Sequence, residues 1–227
     1  MLIDGKHLTL SDIFEVAFKK EFCSIEESAA RLLDERRRSL ELISKEKTIY
    51  GVNTGFGVLA DHRISSKDLD ALQKNIVLSH AAGVGEPLRQ ELVRAIMLVR
   101  ANSLLKGFSG VRKCLVQRIL DLLNEDIVPV VPSKGSVGAS ADLAPLAHVA
   151  MSLIGEGYCT LEGSVVPSLQ ALKSRNLEPI ILKSKEGLSL LNGTAFMAGI
   201  GGCSTYIALK LFEQAILVSA MSVDALM

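Results

Sequence analysis

The sequence predicts a mainly α protein: an N-terminal helical region, then long helices that begin a central bundle, with one short β-hairpin. Three observations carry this expectation. Apolar residues make up 48% of the 227, yet aromatics are only 4% and Trp is absent, so the core must be aliphatic. A core of Leu, Ala, Val and Ile favours helices over a β-sandwich. Helical start signals recur along most of the chain, whereas an alternating pattern broken by a two-residue turn occurs once.

The elements follow in order. Ser11 is expected to cap a helix running to about Phe22. Ser24 and Glu27 read as a capping box for a long helix to about Ile43. Its apolar face is Ile25, Ala29, Leu32 and Leu33; Arg36, Arg37 and Arg38, with Asp34, Glu35 and Glu41 beside them, read as a solvated face rather than a nucleic-acid patch. The stretch from Tyr50 to Arg63 holds three glycines and fits neither period. Ser65 and Asp68 suggest a helix to about Ser79. Pro87 suits the first turn of a helix through Leu105, and Ser109 the start of one ending near Asn124. Pro145 opens another that ends at Gly155 or Gly157. Tyr158–Leu161 and Ser164–Val166 flank Glu162-Gly163, a hairpin signal.

Thr194 to Leu209 carries no charge, which raises the thought of a membrane span. Lys210, Glu213 and Gln214 interrupt it after 16 residues, short of the ~20 that a span needs. With Ala195, Ala198, Gly199, Gly201 and Gly202 offering a thin surface, the segment is expected to be a central helix buried on all sides. The last residues, Asp224-Ala225-Leu226-Met227, bring no cap, so the chain reads as cut within a helix, its missing neighbours being a C-terminal region or other subunits. Two regions are expected, 1–108 and 109–227.

Charge and cysteines bound the function. The 25 basic and 25 acidic residues cancel, which gives no electrostatic case for nucleic acid or an anionic membrane. Met1-Leu2-Ile3-Asp4-Gly5-Lys6 does not resemble a signal peptide. Cys23, Cys114, Cys159 and Cys203 are scattered, form no Cys-x-x-Cys pair and stand at no metal-ligand spacing from a His. They are expected to be buried reduced thiols of a cytoplasmic protein without a metal site.

Chemistry concentrates in the run Gly135-Ser136-Val137-Gly138-Ala139-Ser140-Ala141-Asp142-Leu143-Ala144-Pro145-Leu146. Small side chains relax the steric limits on φ and ψ. A main-chain amide nitrogen could then attack a carbonyl carbon two residues upstream, and dehydration of that ring would make an electrophile from the protein itself. A phosphate cradle at Lys134 to Ala139 is disfavoured, since the Gly-Lys-Ser/Thr order of a P-loop is missing.

Three further stretches stand beside this run. They are Tyr50-Gly51-Val52-Asn53-Thr54-Gly55-Phe56-Gly57, Leu78-Ser79-His80-Ala81-Ala82-Gly83-Val84-Gly85-Glu86-Pro87 and Leu190-Leu191-Asn192-Gly193-Thr194. Together, in this order, the four resemble the histidine ammonia-lyase family of aromatic amino acid lyases and mutases, collinear from about residue 2 to the end and over about half the usual length. The resemblance implies that Ala139, Ser140 and Ala141 form a 4-methylidene-imidazol-5-one, so that no external cofactor is required. It implies that Tyr50 handles the β-proton, and that Asn192 binds the substrate carboxylate or the imidazolone oxygen. Gly57 lets the Tyr50 loop approach substrate. The pair Ser79-His80 goes with histidine, because an imidazole can exchange hydrogen bonds with the substrate's ring. Asp142 orients the loop or caps the following helix. His148 is read as structural, and His7 and His62 as without a role.

Two departures qualify the resemblance. Ala141 stands where the family usually has Gly, and its Cβ opposes the tight turn that ring closure needs. The half of the family's chain that holds further catalytic groups is absent here, and family sites combine residues from several subunits of a tetramer. The expected function is elimination of ammonia from L-histidine to give trans-urocanate, with this chain inactive alone. The alternatives are a lyase or aminomutase for another aromatic amino acid, and a catalytically silent assembly module.

Overall fold

A computed structural model describes residues 1–55, 64–65, 68–138 and 141–227. Its helices are α1 (Leu10–Lys19), α2 (Glu27–Glu46), α3 (Leu69–His80), α4 (Gln90–Leu105), α5 (Lys113–Asn124), α6 (Leu143–Leu153), α7 (Ser168–Ser174), α8 (Glu186–Leu191) and α9 (Ala195–Leu226). The strands are short: β1 (Leu2–Ile3), β2 (Ser24–Ile25), β3 (Val84–Pro87), β4 (Val128–Pro129), β5 (Pro132–Lys134), β6 (Tyr158–Leu161) and β7 (Ser164–Pro167). The chain is mainly α, as expected.

Helix α4 is the axis of the fold. Eleven of its sixteen residues are buried, including Val93, Ile96, Met97, Leu98, Ala101, Leu104 and Leu105. It packs against α1, α5 and α9, and more lightly against α2. Helix α5 contributes Leu115, Val116, Ile119, Leu120, Leu122 and Leu123, an i, i+1, i+4 pattern that lays one whole face on α4. Helix α1 adds Ile13, Val16 and Ala17. Helix α9 comes in close enough that a Cβ on Gly199 would fall 2.8 Å from Ile96 N and 2.9 Å from Ile96 Cα. Only a residue without a side chain lets the two backbones meet there.

Arg94, 2% exposed, ties three elements around this axis. It donates to the carbonyls of Val16 (3.1 Å) and Leu123 (2.9 Å) and pairs with Asp126 at 3.0 Å. Burial pulls its pKa down, and Asp126 opposes the pull.

Several expected boundaries move. The α1 cap is Thr9, not Ser11: Thr9 and Asp12 form a reciprocal capping box. Glu26, not Ser24, caps α2, because Ser24 is in a strand that pairs in parallel with Leu2–Ile3. Pro87 ends β3, which pairs with β5, and α4 begins only at Gln90. Ser109 does not start α5; Arg112 is its N-cap residue, and the Arg112 amide donates to Glu186 Oε1 at 3.0 Å. Arg37 is not solvated: it is 8% exposed and donates to Glu41 and to the carbonyls of Gly110 and Ser184. Cys23, Cys159 and Cys203 are buried, and burial raises each thiol's pKa, Cys23 to about 11. Cys114 is exposed, contrary to expectation, because it falls on the outer face of α5.

The hairpin forms where expected, with β4 added to give the order β4-β6-β7. Glu162 and Gly163 have φ of 51° and 79°, the left-handed pair that a two-residue hairpin turn requires.

Helix α9 departs most from expectation. Only Ala195, Gly199, Gly202 and Cys203 are buried, and Leu211, Phe212, Leu217, Val218 and Met221 are each more than 60% exposed. The described residues supply neighbours, chiefly α4 and α1, to its first half alone. Among the described residues, Glu186–Leu226 is the one helical stretch long and apolar enough to cross a membrane by length and composition.

The α4–α9 contact makes a direct prediction. Gly199→Ala drives a methyl into the α4 backbone and lowers stability by about 1–3 kcal/mol, seen as a drop in Tm. Gly201→Ala, whose Cβ would meet nothing within 4 Å, leaves Tm unchanged or slightly raised.

Candidate active site

The four motifs lie at the ends of elements, and three sets of contacts link them. The Tyr50 loop follows α2. Asn53 holds it by donating to the carbonyls of Ser44 (2.7 Å) and Lys47 (2.8 Å) and accepting from the Ile49 amide (2.7 Å). Thr54 Oγ1 accepts from the Gly51 amide at 3.1 Å. Asn53 and Thr54 are buried, which leaves Tyr50 55% exposed at the tip. Ser184 donates to the Val52 carbonyl, tying the loop to the segment that leads into α8. Gly57 lies outside the described residues.

Ser79 and His80 finish α3. His80 Nδ1 lies 2.8 Å from the Ile76 carbonyl oxygen. A carbonyl only accepts, so Nδ1 carries the proton, and Nε2 of the neutral ring keeps its lone pair. Ser79 Oγ donates to the same carbonyl at 3.1 Å and stands 3.1 Å from His80 Nδ1. The pair is therefore fixed by one carbonyl near the end of α3, that of Ile76.

The chain then runs through β3 beside β5, which leads into the small-residue run. A Cβ on Gly135 would fall 3.1 Å from Gly83 Cα and 3.2 Å from Ala144 Cβ, so these backbones touch. The Gly83 amide donates to His148 Nε2 at 3.2 Å. His148 thus joins the segment after His80 to α6, the structural role expected for it. Burial pulls its pKa below the ordinary histidine value.

Asp142 ties the small-residue run to the Asn192 turn. It is completely buried. Its Oδ1 accepts from Ser136 Oγ at 2.6 Å, its Oδ2 accepts from the Met197 amide at 3.1 Å, and its own amide donates to the Gly193 carbonyl at 2.9 Å. Asp142 is the N-cap residue of α6 but makes no side-chain cap bond. Its carboxylate is spent on the loop and on the first turn of α9, where the exposed helix amides favour an anion. Of the two roles expected for it, orienting the loop is the one present.

Ala139 and Ser140 lie outside the described residues. Ala141 is 5% exposed. Its amide nitrogen is the one that would close the ring. Asn192 ends α8 as its exposed C-cap residue.

Helix α8 has only six residues, too few to stand alone. Side chains of Arg112, Gln73 and Arg100 hold it, and its own Ser189 adds a further bond. Arg112 makes a two-pronged pair with the fully buried Glu186 at 2.9 and 2.7 Å. Gln73 Oε1 accepts from the Gly187 amide at 2.9 Å. Ser189 Oγ donates to the Ser109 carbonyl at 3.1 Å. Arg100 Nη2 donates to the carbonyls of Ser189 and Asn192. Sequence reasoning missed Asn53, Ser136, Gln73, Arg100, Arg112 and Glu186. Asn53 and Ser136, each inside one of the four motifs, carried a signal that could have found them. Among the described residues, no group of three or more His, Cys, Asp and Glu could hold a metal.

Comparison with known proteins shows the family. The family described as aromatic amino acid lyase matches residues 8–227. A histidine ammonia-lyase of Streptococcus gordonii is 44% identical over 223 residues, 98% of this chain and 44% of the relative. A histidine ammonia-lyase of Bacillus subtilis is 44% identical over 99% of this chain and 44% of its own length. The crystal structure of a tyrosine aminomutase from Streptomyces globisporus superposes with a TM-score of 0.91 at 39% identity, covering 97% of this chain and 41% of that one. The chain spans less than half the length of the curated relatives it matches.

The ties around the loop are open to test by substitution. Asp142→Ala strands the Met197 amide and Ser136 hydroxyl and costs about 1.5–3 kcal/mol; Asp142→Asn keeps an acceptor and costs less, as denaturant midpoints will report. His148 prefers its neutral ring in the fold, so its contribution is complete above about pH 6.5 and is lost as pH falls through its lowered value. His148→Gln keeps an acceptor that does not titrate, so stability measured from pH 7 to 5 falls less steeply than in the unsubstituted chain. An unchanged slope contradicts this.

Proposed function

Because the chain belongs to the aromatic amino acid lyase family, we propose that it supplies part of the active site of an ammonia-lyase that converts L-histidine to trans-urocanate and ammonia. The observation that carries the choice of substrate is the Ser79-His80 pair. With Nδ1–H committed to the Ile76 carbonyl, His80 Nε2 is an acceptor for the N–H of a substrate imidazole. The names of the Streptococcus gordonii and Bacillus subtilis relatives support the same substrate.

The reaction breaks the Cα–N bond and one β C–H bond. Ammonia is a poor leaving group and the β-proton is weakly acidic, so each needs help. Ala139, Ser140 and Ala141 would form the methylidene-imidazolone, and its electrophilic methylene would ease departure of the nitrogen. Tyr50, exposed at the tip of a pinned loop, takes the β-proton. Asn192, presented at the end of α8, binds the substrate carboxylate through its carboxamide. Asp142 and Ser79 act as supports, the first by fixing the loop and the second by fixing His80.

The enzyme is proposed to work in the cytoplasm as a homo-oligomer, a tetramer by family resemblance. The exposed apolar second half of α9 supports an assembled state in which other subunits or further chain cover it. The likeness to a tyrosine aminomutase favours one second reading, a lyase or aminomutase for another aromatic amino acid.

A product panel separates these readings. Alone, the 227-residue chain is expected to give no urocanate. Co-expressed with the part of the Bacillus subtilis relative that it does not cover, it is expected to release ammonia and urocanate from L-histidine and to leave L-tyrosine and L-phenylalanine unchanged. A β-amino acid or an arylacrylate from tyrosine or phenylalanine, without urocanate, overturns the substrate assignment.

A further inference from the structure

Two arginines are buried on α4, six residues apart, and they differ in one respect. Arg94 has a carboxylate, Asp126, at 3.0 Å. Arg100, 4% exposed, has no carboxylate partner among the described residues, and its Nε has no hydrogen-bond partner there. A guanidinium in such a place is a costly choice, and an apolar side chain of similar size would often be more stable. What Arg100 does make are two bonds from Nη2, to the carbonyls of Ser189 and Asn192. Both belong to the C-terminal end of α8, where helix carbonyls lack partners and a positive charge is favoured.

The turn beyond is held from the other side. The Gly193 carbonyl accepts from the Asp142 amide, and Asp142 Oδ2 accepts from the Met197 amide. The Asn192-Gly193 turn therefore sits between a cation on the Asn192 carbonyl and the Asp142 backbone on the Gly193 carbonyl. A Cβ on Gly193 would overlap the Arg100 guanidinium, so the Asn-Gly order is part of the same fit. The Asn192 side chain itself is left exposed.

We infer that Arg100 is a positioning residue: its guanidinium caps α8 and sets the Asn192-Gly193 turn so that the Asn192 carboxamide faces substrate. That this positioning serves catalysis rests on the ammonia-lyase reading. Burial lowers the Arg100 pKa to about 10, which still leaves it charged at neutral pH. The bonds it makes are charge-assisted ones in a low-dielectric setting.

Backbone amide exchange tests the positioning without reference to activity. In the 227-residue chain, Arg100→Met is expected to speed exchange at Asp142, Asn192, Gly193 and Met197 by roughly tenfold or more, with the α5 amides unchanged. Arg100→Lys keeps a cation but not the fork, and is expected to give a smaller, equally selective rise; it decides the matter if the Met variant does not fold. Exchange at those four amides that is unchanged, or faster only in step with α5, overturns the inference. In the complemented enzyme, Arg100→Lys is expected to raise KM for L-histidine several-fold more than it lowers kcat. Unchanged KM overturns the catalytic part. If the unsubstituted enzyme eliminates ammonia from no aromatic amino acid, the ammonia-lyase reading fails, while the exchange result still decides whether Arg100 sets the turn.

Discussion

The site depends on one buried carboxylate. Asp142 has no counter-ion among the described residues; its carboxylate accepts from Ser136 and Met197 instead, and its backbone amide donates to the Gly193 carbonyl. A charge out of water must be satisfied on most of its acceptor positions or it will neutralise or pull water in. That requirement joins the small-residue run to the start of α9, and the Asp142 amide adds the Asn192 turn. Since α9 is in turn pressed on α4 at Gly199, the loop is referenced to the core axis through a single side chain.

The same logic extends outward. Short elements that could not fold alone are held by polar struts from long ones. Helix α8 is fixed by Arg112, Gln73 and Arg100, and the Tyr50 loop by Asn53 and Ser184. The apolar core supplies stability, while these struts supply position. Catalytic groups need position more, because a displacement of about 1 Å can cost on the order of a hundredfold in rate.

Much of this was legible in the sequence where information is local. The Glu162-Gly163 hairpin and the helical class are short-range patterns that the structure shows, and the family that the four motifs resemble is the one that matches. Boundaries failed where a distant strand took over: Ser24 pairs with Leu2, and Pro87 with Pro132. Arg37 and Arg100 failed differently. An arginine on a helix reads as solvated, and nothing nearby in sequence reveals that a carbonyl 73 or 92 residues away needs its donors. Helix α9 reads as buried because it is apolar, but burial also requires neighbours, and the described chain gives them only to its first turns.

Ala141 concentrates the chemical question. Its side chain is buried, 5% exposed, and its amide nitrogen is the one that ring closure would use. The mass of the proteolytic peptide that spans Ser140 tests this most directly. A peptide lighter than its sequence by two waters is the predicted result. A peptide at full sequence mass, from protein that is folded by its circular dichroism, would contradict the account that this loop exists to make an electrophile.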